Sequence, residues 1–449
     1  MVMPHFTHFS FTDARFDGAT ALLGYRLWSP GGPSVDFTER FTLPQAPEDP
    51  SHPALQLALR DLHIVAGTSY WKAACPPTIT FEGVPTPDPE AAAFWKEVYT
   101  FGLGEFFYEN DLPPEVHFPS DPDAVVARPE APVAVDPDRL LLLVGGGKDS
   151  AVAREVLRHA GADVTLLSVG APRWIRESVT AMGDPHLVIG RKLDRALFAL
   201  NDQGAHNGHV PISAIIAAVT RLVALIGGFA AVVSANERSA SYGNVQWRGM
   251  EVNHQWSKGL RFEQRWQAHA GRVTNGPGYF SVLRPLTELR IGAGFARHER
   301  YFDHVTSCNA NFRIRPQDPP ARWCGRCPKC LFVGLILVPH LSDAQAGRIF
   351  GDNFLAREDN RPLLAELMGL ASHKPFECVG TPEEVAAALW MLREQGRMAG
   401  TPAMDLFTTR VLPGLSDPEG LLAAELAAAD EDAMPPRWRG ALDAYLRAG

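Results

Sequence analysis

The chain has 449 residues, enough for two or three domains with complete cores, and its 46% hydrophobic and 21% charged residues are ordinary for a soluble globular protein. A formal net charge of −9 argues against a general nucleic-acid binder. The opening residues, Met1-Val-Met-Pro-His-Phe-Thr-His8, have neither a basic region nor an apolar core, so no signal peptide and a cytoplasmic location are expected.

Residues 1 to about 50 alternate apolar and polar side chains around Gly and Pro, as in Phe37-Thr-Glu-Arg-Phe-Thr-Leu43, which predicts antiparallel strands. Apolar residues three and four apart predict helices over 53–75 and 90–110, giving an α+β N-terminal domain over 1–112. Residues 113–138 are too rich in Pro for regular structure and read as a linker. Strands are then predicted at 140–144, 163–169, 186–190 and 229–234, and helices at 150–160, 194–201 and 211–226. That alternation implies an α/β domain over 139–339, with right-handed βαβ units and an open parallel sheet binding ligands at the strand C-termini. The apolar run from Ile212 to Ser234 is interrupted by Arg221 and Gly227-Gly228. It reads as a buried helix, a glycine stop and a buried strand rather than a membrane span. Residues 340–449 read as a helical C-terminal region.

The stretch Leu141-Leu-Leu-Val-Gly-Gly-Gly-Lys-Asp-Ser150 joins a buried strand to a helix through three glycines. Gly145, Gly146 and Gly147 let the backbone approach a phosphate, and a helix N-terminus favours negative charge there. Lys148 adds a cation, Asp149 suits Mg²⁺, and Ser150 can cap the helix or bond a phosphate oxygen. The spacing is neither a Walker A loop nor a dinucleotide fingerprint. Ser168 ends the second strand, and Asn236, Glu237 and Arg238 follow the fourth, at the same edge of the sheet.

Between Arg238 and Lys329 stand 15 Lys and Arg against 6 Asp and Glu, a local excess of +9, so the remainder of the chain sums to −18. The excess suits a small polyanion, with Lys258, Arg261 and Arg265 as the candidate contacts. Cys308, Cys324, Cys327 and Cys330 have metal-ligand spacing; four thiolates make a structural Zn²⁺ site, with an iron–sulfur cluster as the rival. Cys378, in a turn near Lys374, could expose a basic thiolate, whereas Cys75 reads as a core or surface thiol.

The glycine stretch resembles the Ser-Gly-Gly-x-Asp-Ser loop of the PP-loop ATP pyrophosphatases, with Gly145 in place of the first Ser. That resemblance implies ATP as cosubstrate, Mg²⁺ at Asp149, and adenine near Ser168. The 7-cyano-7-deazaguanine synthases carry a similar downstream cysteine site, but they are much shorter. A second family, the ATP-dependent UDP-N-acetylmuramoyl-L-alanyl-L-glutamate epimerases, is similar over nearly the whole length. Its stretches here are His63-Ile-Val-Ala-Gly-Thr-Ser-Tyr-Trp-Lys-Ala-Ala-Cys-Pro-Pro77, Gly102-Leu-Gly-Glu-Phe-Phe-Tyr108 and the glycine loop. They continue with Asn236-Glu-Arg-Ser-Ala-Ser241, Trp323-Cys-Gly-Arg-Cys-Pro-Lys-Cys330 and Lys374-Pro-Phe-Glu-Cys-Val-Gly380. The resemblance implies that ATP adenylates a glutamate carboxylate and that a base then exchanges the α-proton. It also implies that the substrate is an anionic UDP-muramoyl dipeptide. Lys72, His209, Glu237, His254, Lys258 and Cys378 have suitable chemistry for proton transfer; Cys378 and His254 are the preferred pair, with Lys148 and Asp149 on the phosphates and Arg238, Lys258 and Arg261 on the substrate.

Overall fold

A computed structural model describes residues 3–124, 133–273, 276–312 and 322–448; part of the predicted linker, residues 125–132, and part of the basic segment, residues 313–321, lie outside them. The amino-terminal alternation becomes an antiparallel meander of β1 (His8–Asp17), β2 (Thr20–Trp28) and β3 (Ser34–Thr42). Its inner face is aromatic: Phe9 and Tyr25 stack at 5.8 Å, and Tyr25 stacks on Tyr70 at 4.7 Å. Such pairs add about 0.5–1.5 kcal/mol each beyond the area they bury. The short β4 (Thr78–Phe81) joins β1 in parallel.

The strands expected after Arg139 are present as β5 (Asp136–Leu143), β6 (Asp163–Val169), β7 (His186–Lys192) and β8 (Phe229–Ser234). A small hairpin, β9 (Val245–Trp247) and β10 (Met250–Val252), precedes β11 (Gly278–Ser281). Helices Lys148–His159, Arg195–Asp202 and Ile212–Gly227 lie where helical spacing placed them. A further helix, Arg173–Met182, fills the connection between β6 and β7.

All strands but the hairpin form one sheet, in the order β11-β8-β5-β6-β7-β3-β2-β1-β4. The five strands from β11 to β7 are parallel. β7 then pairs antiparallel with β3, through Arg40↔Lys192, Phe41↔Arg191 and Thr42↔Gly190. The amino-terminal meander is therefore hydrogen-bonded into the α/β sheet. From β5 the chain moves outward through β6 and β7, then returns to the other flank of β5 for β8 and β11. The order reverses at β5, so a crevice opens beyond the C-terminal ends of β5 and β8.

Arg221, which interrupts the apolar run, is buried and donates Nη1 to Asp61 Oδ2 at 2.9 Å and Nη2 to the Ala270 carbonyl at 2.9 Å. His269 Nε2 meets the other Asp61 oxygen at 2.8 Å. Helices Pro53–Ala66, Ile212–Gly227 and Leu260–Val273 are thereby joined by a charge network in their shared core. Removing one partner of a buried pair leaves the other uncompensated, so Asp61→Ala is expected to cost about 3–5 kcal/mol, read as a lower urea midpoint at unchanged slope.

Beyond residue 340 the chain is helical, and Pro382–Glu394 packs against Pro328–Leu337 in a second core. The final helix, Pro436–Arg447, returns to bury Trp438, Leu442 and Tyr445 beside helix Lys148–His159. Among the described residues, no helix is long and apolar enough to cross a membrane.

Candidate active site

Strand β5 delivers the glycine loop to the crevice. Gly146 has φ +84°, a left-handed conformation that side chains disfavour, and a Cβ on Gly147 would lie 3.0 Å from Ser307 Oγ. A Cβ on Gly145 would meet nothing within 4 Å, so its open side faces free space. The helix starts at Lys148 with Gly147 as N-cap and no side-chain cap, which leaves its first-turn N–H groups to an incoming anion. Ser150 Oγ donates to the Gly147 carbonyl at 3.1 Å and ties the loop together. Thr306 N donates to the Gly146 carbonyl at 3.0 Å from the other side.

The crevice holds a cavity of about 320 Å³. Gly145, Gly147, Asp149 and Ser150 line it from the loop, with Ser168 from β6, Asn236 from beyond β8, and Lys258 and Cys378 from later segments. Eight residues expected to act together thus share one wall. Lys148 lies beneath that wall, with a side chain 2% exposed, bonded to Asp149 and to Glu288. Burial opposes the charge on Lys148, but the two carboxylates outweigh it and raise its pKa. Burial likewise opposes ionisation of Asp149, yet Lys148, Lys329 and Lys258 hold its pKa below the ordinary carboxylate value. Glu288 is pushed up to about 7 by burial and by Asp149, against the pull of Lys148. Glu384 receives the Glu288 N–H at 2.8 Å and closes a capping box with Thr381, linking this cluster to the segment after Cys378.

Cys378 sits in a clamped turn. Asn244 Nδ2 donates to the Pro375 carbonyl at 2.8 Å, Gln255 Nε2 donates to the Val379 carbonyl at 3.1 Å, and the His254 N–H donates to Asn244 Oδ1 at 2.8 Å. Lys258 Nζ donates to Cys378 Sγ at 3.1 Å. Lys374, the cation expected beside this thiol, instead donates to the backbone carbonyls of Tyr242 and Val379. Burial alone would raise the Cys378 pKa, but Lys258, the hydrogen bond and charge of His254, and Lys329 bring it down to about 5. Burial would lower His254, but hydrogen bonds to Cys378 and Glu105 push it up to about 9. At neutral pH the pair is a thiolate and an imidazolium. Buried Arg284 donates to the Glu237 carbonyl at 2.6 Å and to Glu263 at 2.8 Å, which fixes the backbone behind Asn236.

The four cysteines come together, with their sulfurs within 4.8 Å of one another. Cys324 and Cys330 Sγ are 3.8 Å apart, matching the edge of a tetrahedron built on Zn–S bonds of about 2.3 Å. Cys327 caps helix Pro328–Leu337. The cluster anchors two cavity-lining segments, Thr306-Ser307 before Cys308 and Lys329 between Cys327 and Cys330.

Other expected contacts lie elsewhere. Arg261, 62% exposed, and Arg265 pair with Glu97 at 2.7 and 3.1 Å, and Arg238 pairs with Glu425 at 3.2 Å. Arg248 and Arg272 also meet carboxylates, so much of the basic excess is neutralised locally. Among the described residues, Lys258 and Lys329 are its cavity-lining cations. Glu237 is buried next to the site, and Lys72 is buried against Asn207 at 3.1 Å, its pKa lowered to about 8 by burial. Sequence reasoning missed Lys329 as a wall residue, Glu288 as the partner of Lys148, and Glu105 as the partner of His254. Glu105 lies in a stretch singled out for its resemblance alone, and Lys329 within the cysteine motif.

A thiolate and an imidazolium beside a glycine-lined anion cradle are the equipment of an enzyme that moves protons on an anionic substrate. The family models agree: the MurL N-terminal domain matches residues 1–282 and the MurL C-terminal domain matches residues 304–417. A UDP-N-acetyl-alpha-D-muramoyl-L-alanyl-L-glutamate epimerase of Xanthomonas oryzae pv. oryzae is 42% identical over 387 residues, covering 85% of each chain. Relatives of the same name from a Micromonospora species and Salinispora tropica are each 42% identical over 88% of this chain, and over 89% and 87% of their own lengths. No solved structure matches the chain. The chain belongs to the MurL epimerase family.

Proposed function

We propose that this protein converts the terminal L-glutamate of UDP-N-acetylmuramoyl-L-alanyl-L-glutamate to D-glutamate, after ATP has adenylated the carboxylate beside the α-carbon. The observation that carries this reading is that the glycine cradle and the Cys378 thiolate line one cavity. A glutamate α-proton is hard to remove next to a carboxylate that is already negative. In the proposed sequence a carboxylate oxygen attacks the α-phosphorus of ATP, the bond to the β-phosphate breaks, and pyrophosphate leaves. The acyl-adenylate has lost that negative charge, so its α-carbon is more acidic. Cys378, as thiolate, takes the α-proton, and a proton delivered to the opposite face inverts the centre. Water then cleaves the acyl–phosphate bond, releasing AMP and the D-glutamyl product.

The PP-loop reading is supported by the strand, glycine turn and Lys148-Asp149-Ser150 at the switch point of a parallel sheet. First-turn N–H groups, Lys258 and Lys329 would hold phosphate oxygens. Asp149 fits Mg²⁺, which when bound would offset charge on the departing pyrophosphate. Adenine beside Ser168 and a dipeptide substrate reaching toward Cys378 complete the proposed arrangement.

Structural zinc is proposed at Cys308, Cys324, Cys327 and Cys330, whose sulfur-only, closed donor set fits that ion. About one zinc per chain is expected by elemental analysis, lost in Cys324→Ser together with protein stability. Iron with sulfide instead would overturn the assignment.

The test of function is incubation with ATP, Mg²⁺ and the UDP-muramoyl dipeptide in D₂O. Deuterated D-glutamate accompanied by AMP and pyrophosphate is expected. AMP formation that requires ammonia and gives a nitrogen-containing product would favour a ligase of the 7-cyano-7-deazaguanine synthase kind.

A further inference from the structure

We propose that Glu105 is a positioning residue that orients His254 against Cys378, so that Glu105, His254 and Cys378 form one hydrogen-bonded proton-transfer chain. The inference rests on the reading of Cys378 as the α-proton base and names the group that keeps it in working form.

The three residues come from distant parts of the chain. Glu105 is buried on the short helix Gly104–Glu109, whose first residue lies against the hairpin strand leading to His254. A Cβ on Gly104 would lie 3.7 Å from Met250 and 3.8 Å from Val252, ordinary contacts that show how closely the two backbones pack. At the other end of the helix, the Tyr108 ring lies 5.2 Å from the Phe376 ring of the Cys378 turn. One short helix therefore touches both the segment that carries His254 and the turn that carries Cys378.

The hydrogen bonds follow that packing. His254 Nδ1 donates to Glu105 Oε2. With Nδ1 engaged, Nε2 is the ring nitrogen left to act on Cys378, and each of the two groups favours the charged form of the other. A base oriented by a third group beside a nucleophile is the logic of triads, here applied to a carbon acid. Charges alternate along the chain: carboxylate, imidazolium, thiolate, then the Lys258 ammonium 3.1 Å beyond. The surrounding groups do not replace Glu105. His209 lies 3.4 Å from the same oxygen, but burial and then His254 push its pKa down to about 3, which leaves it neutral. Glu109 and Glu377 also act on His254 electrostatically, and Lys329 and Lys374 interact with Cys378.

The test reads the thiol itself. Full-length protein and its Glu105→Gln and Glu105→Asp variants would be treated with iodoacetamide across pH 4–10, and alkylation of the Cys378 peptide followed by mass spectrometry. Cys75 and the clustered cysteines report on separate peptides. An unmodified chain is expected to show its alkylation midpoint near 5. Removing an opposite charge weakens the imidazolium, so Glu105→Gln should raise the midpoint by about one pH unit or more, with Glu105→Asp in between. In α-deuterium exchange, Glu105→Gln should lower kcat at little change in KM. An unmoved midpoint in a folded Glu105→Gln protein overturns the proposal. Separately, exchange that survives in Cys378→Ser would end the role of Cys378 as base, while a moved midpoint would still establish Glu105 as the group that positions His254.

Discussion

Cys378→Ser is expected to abolish α-proton exchange on the dipeptide while leaving ATP cleavage largely in place. A serine hydroxyl occupies nearly the same volume, so the turn clamped by Asn244 and Gln255 should survive. What is lost is a group poised as an anion, and a positioned base contributes about 10²–10⁴-fold to proton transfer. Deuterium incorporation should fall by that factor. AMP should still appear with the substrate, because the glycine cradle does not contain Cys378 and water can hydrolyse an acyl-adenylate without inversion. The product would then be unchanged L-glutamyl dipeptide, with ATP consumed for nothing. Exchange within tenfold of the unmodified enzyme would remove Cys378 from the chemistry.

The proposed pair is expected to set the pH dependence of exchange. The thiolate must be unprotonated, so the rate should rise with pH through the region near 5. The imidazolium must keep its proton, so the rate should fall again near 9. Each group favours the charged form of the other, and the limbs of the bell belong to the pair rather than to either residue alone. A rate that climbs steadily beyond pH 9 would contradict a protonated His254.

Much of the α/β frame was legible because its signals are local. β8 is a near-continuous apolar run ending at Ser234, and β6 sets Val164, Leu166, Leu167 and Val169 around Thr165 and Ser168, so the spans 163–169 and 229–234 could be assigned without knowing their partners. β4 is four residues long and half exposed, too short for a period to emerge. The joining of β3 to β7 was not legible, since Arg40 and Lys192 are more than 150 residues apart and nothing in either segment marks the other. Arg221 looked like an interruption of an apolar helix; its partner Asp61 belongs to a helix far upstream.

The site divides in the same way. Gly145 to Ser150 are contiguous, so their place on a glycine turn between a strand and a helix was readable. Cys378 and His254 were identified as residue types, but not as neighbours. Asn244 brings their segments together by holding the backbone of one and the turn of the other. The basic excess pointed to a polyanion site, yet Arg261 and Arg265 face Glu97, and among the described residues the cavity-lining cations are Lys258 and Lys329. Counting charge along a chain does not show which charges find partners across it.

Asp149→Asn tests the other half of the mechanism. Burial raises the cost of this carboxylate, and three lysines, first among them Lys148, keep it ionised. The amide preserves shape and leaves Lys148 bonded to Glu288, so the cluster retains an ion pair and the protein should fold. Lys148→Met is the poorer probe, because it would strand Asp149 and Glu288 together without their cation, at about 3–5 kcal/mol. In Asp149→Asn the anionic ligand proposed for Mg²⁺ is gone. Removing one preorganised electrostatic contact costs about 10²–10³ in rate, and AMP formation should fall at least that far. Exchange should fall with it, because in the proposed sequence the α-proton becomes removable only after adenylation, whereas Cys378→Ser separates the two readouts. A chemically prepared acyl-adenylate of the dipeptide should restore α-deuterium exchange to Asp149→Asn and fail to restore it to Cys378→Ser. Exchange that stays lost in Asp149→Asn even with the adenylate supplied would mean that Asp149 serves the proton transfer as well, and that the cavity cannot be divided into a phosphate end and a carbon-acid end.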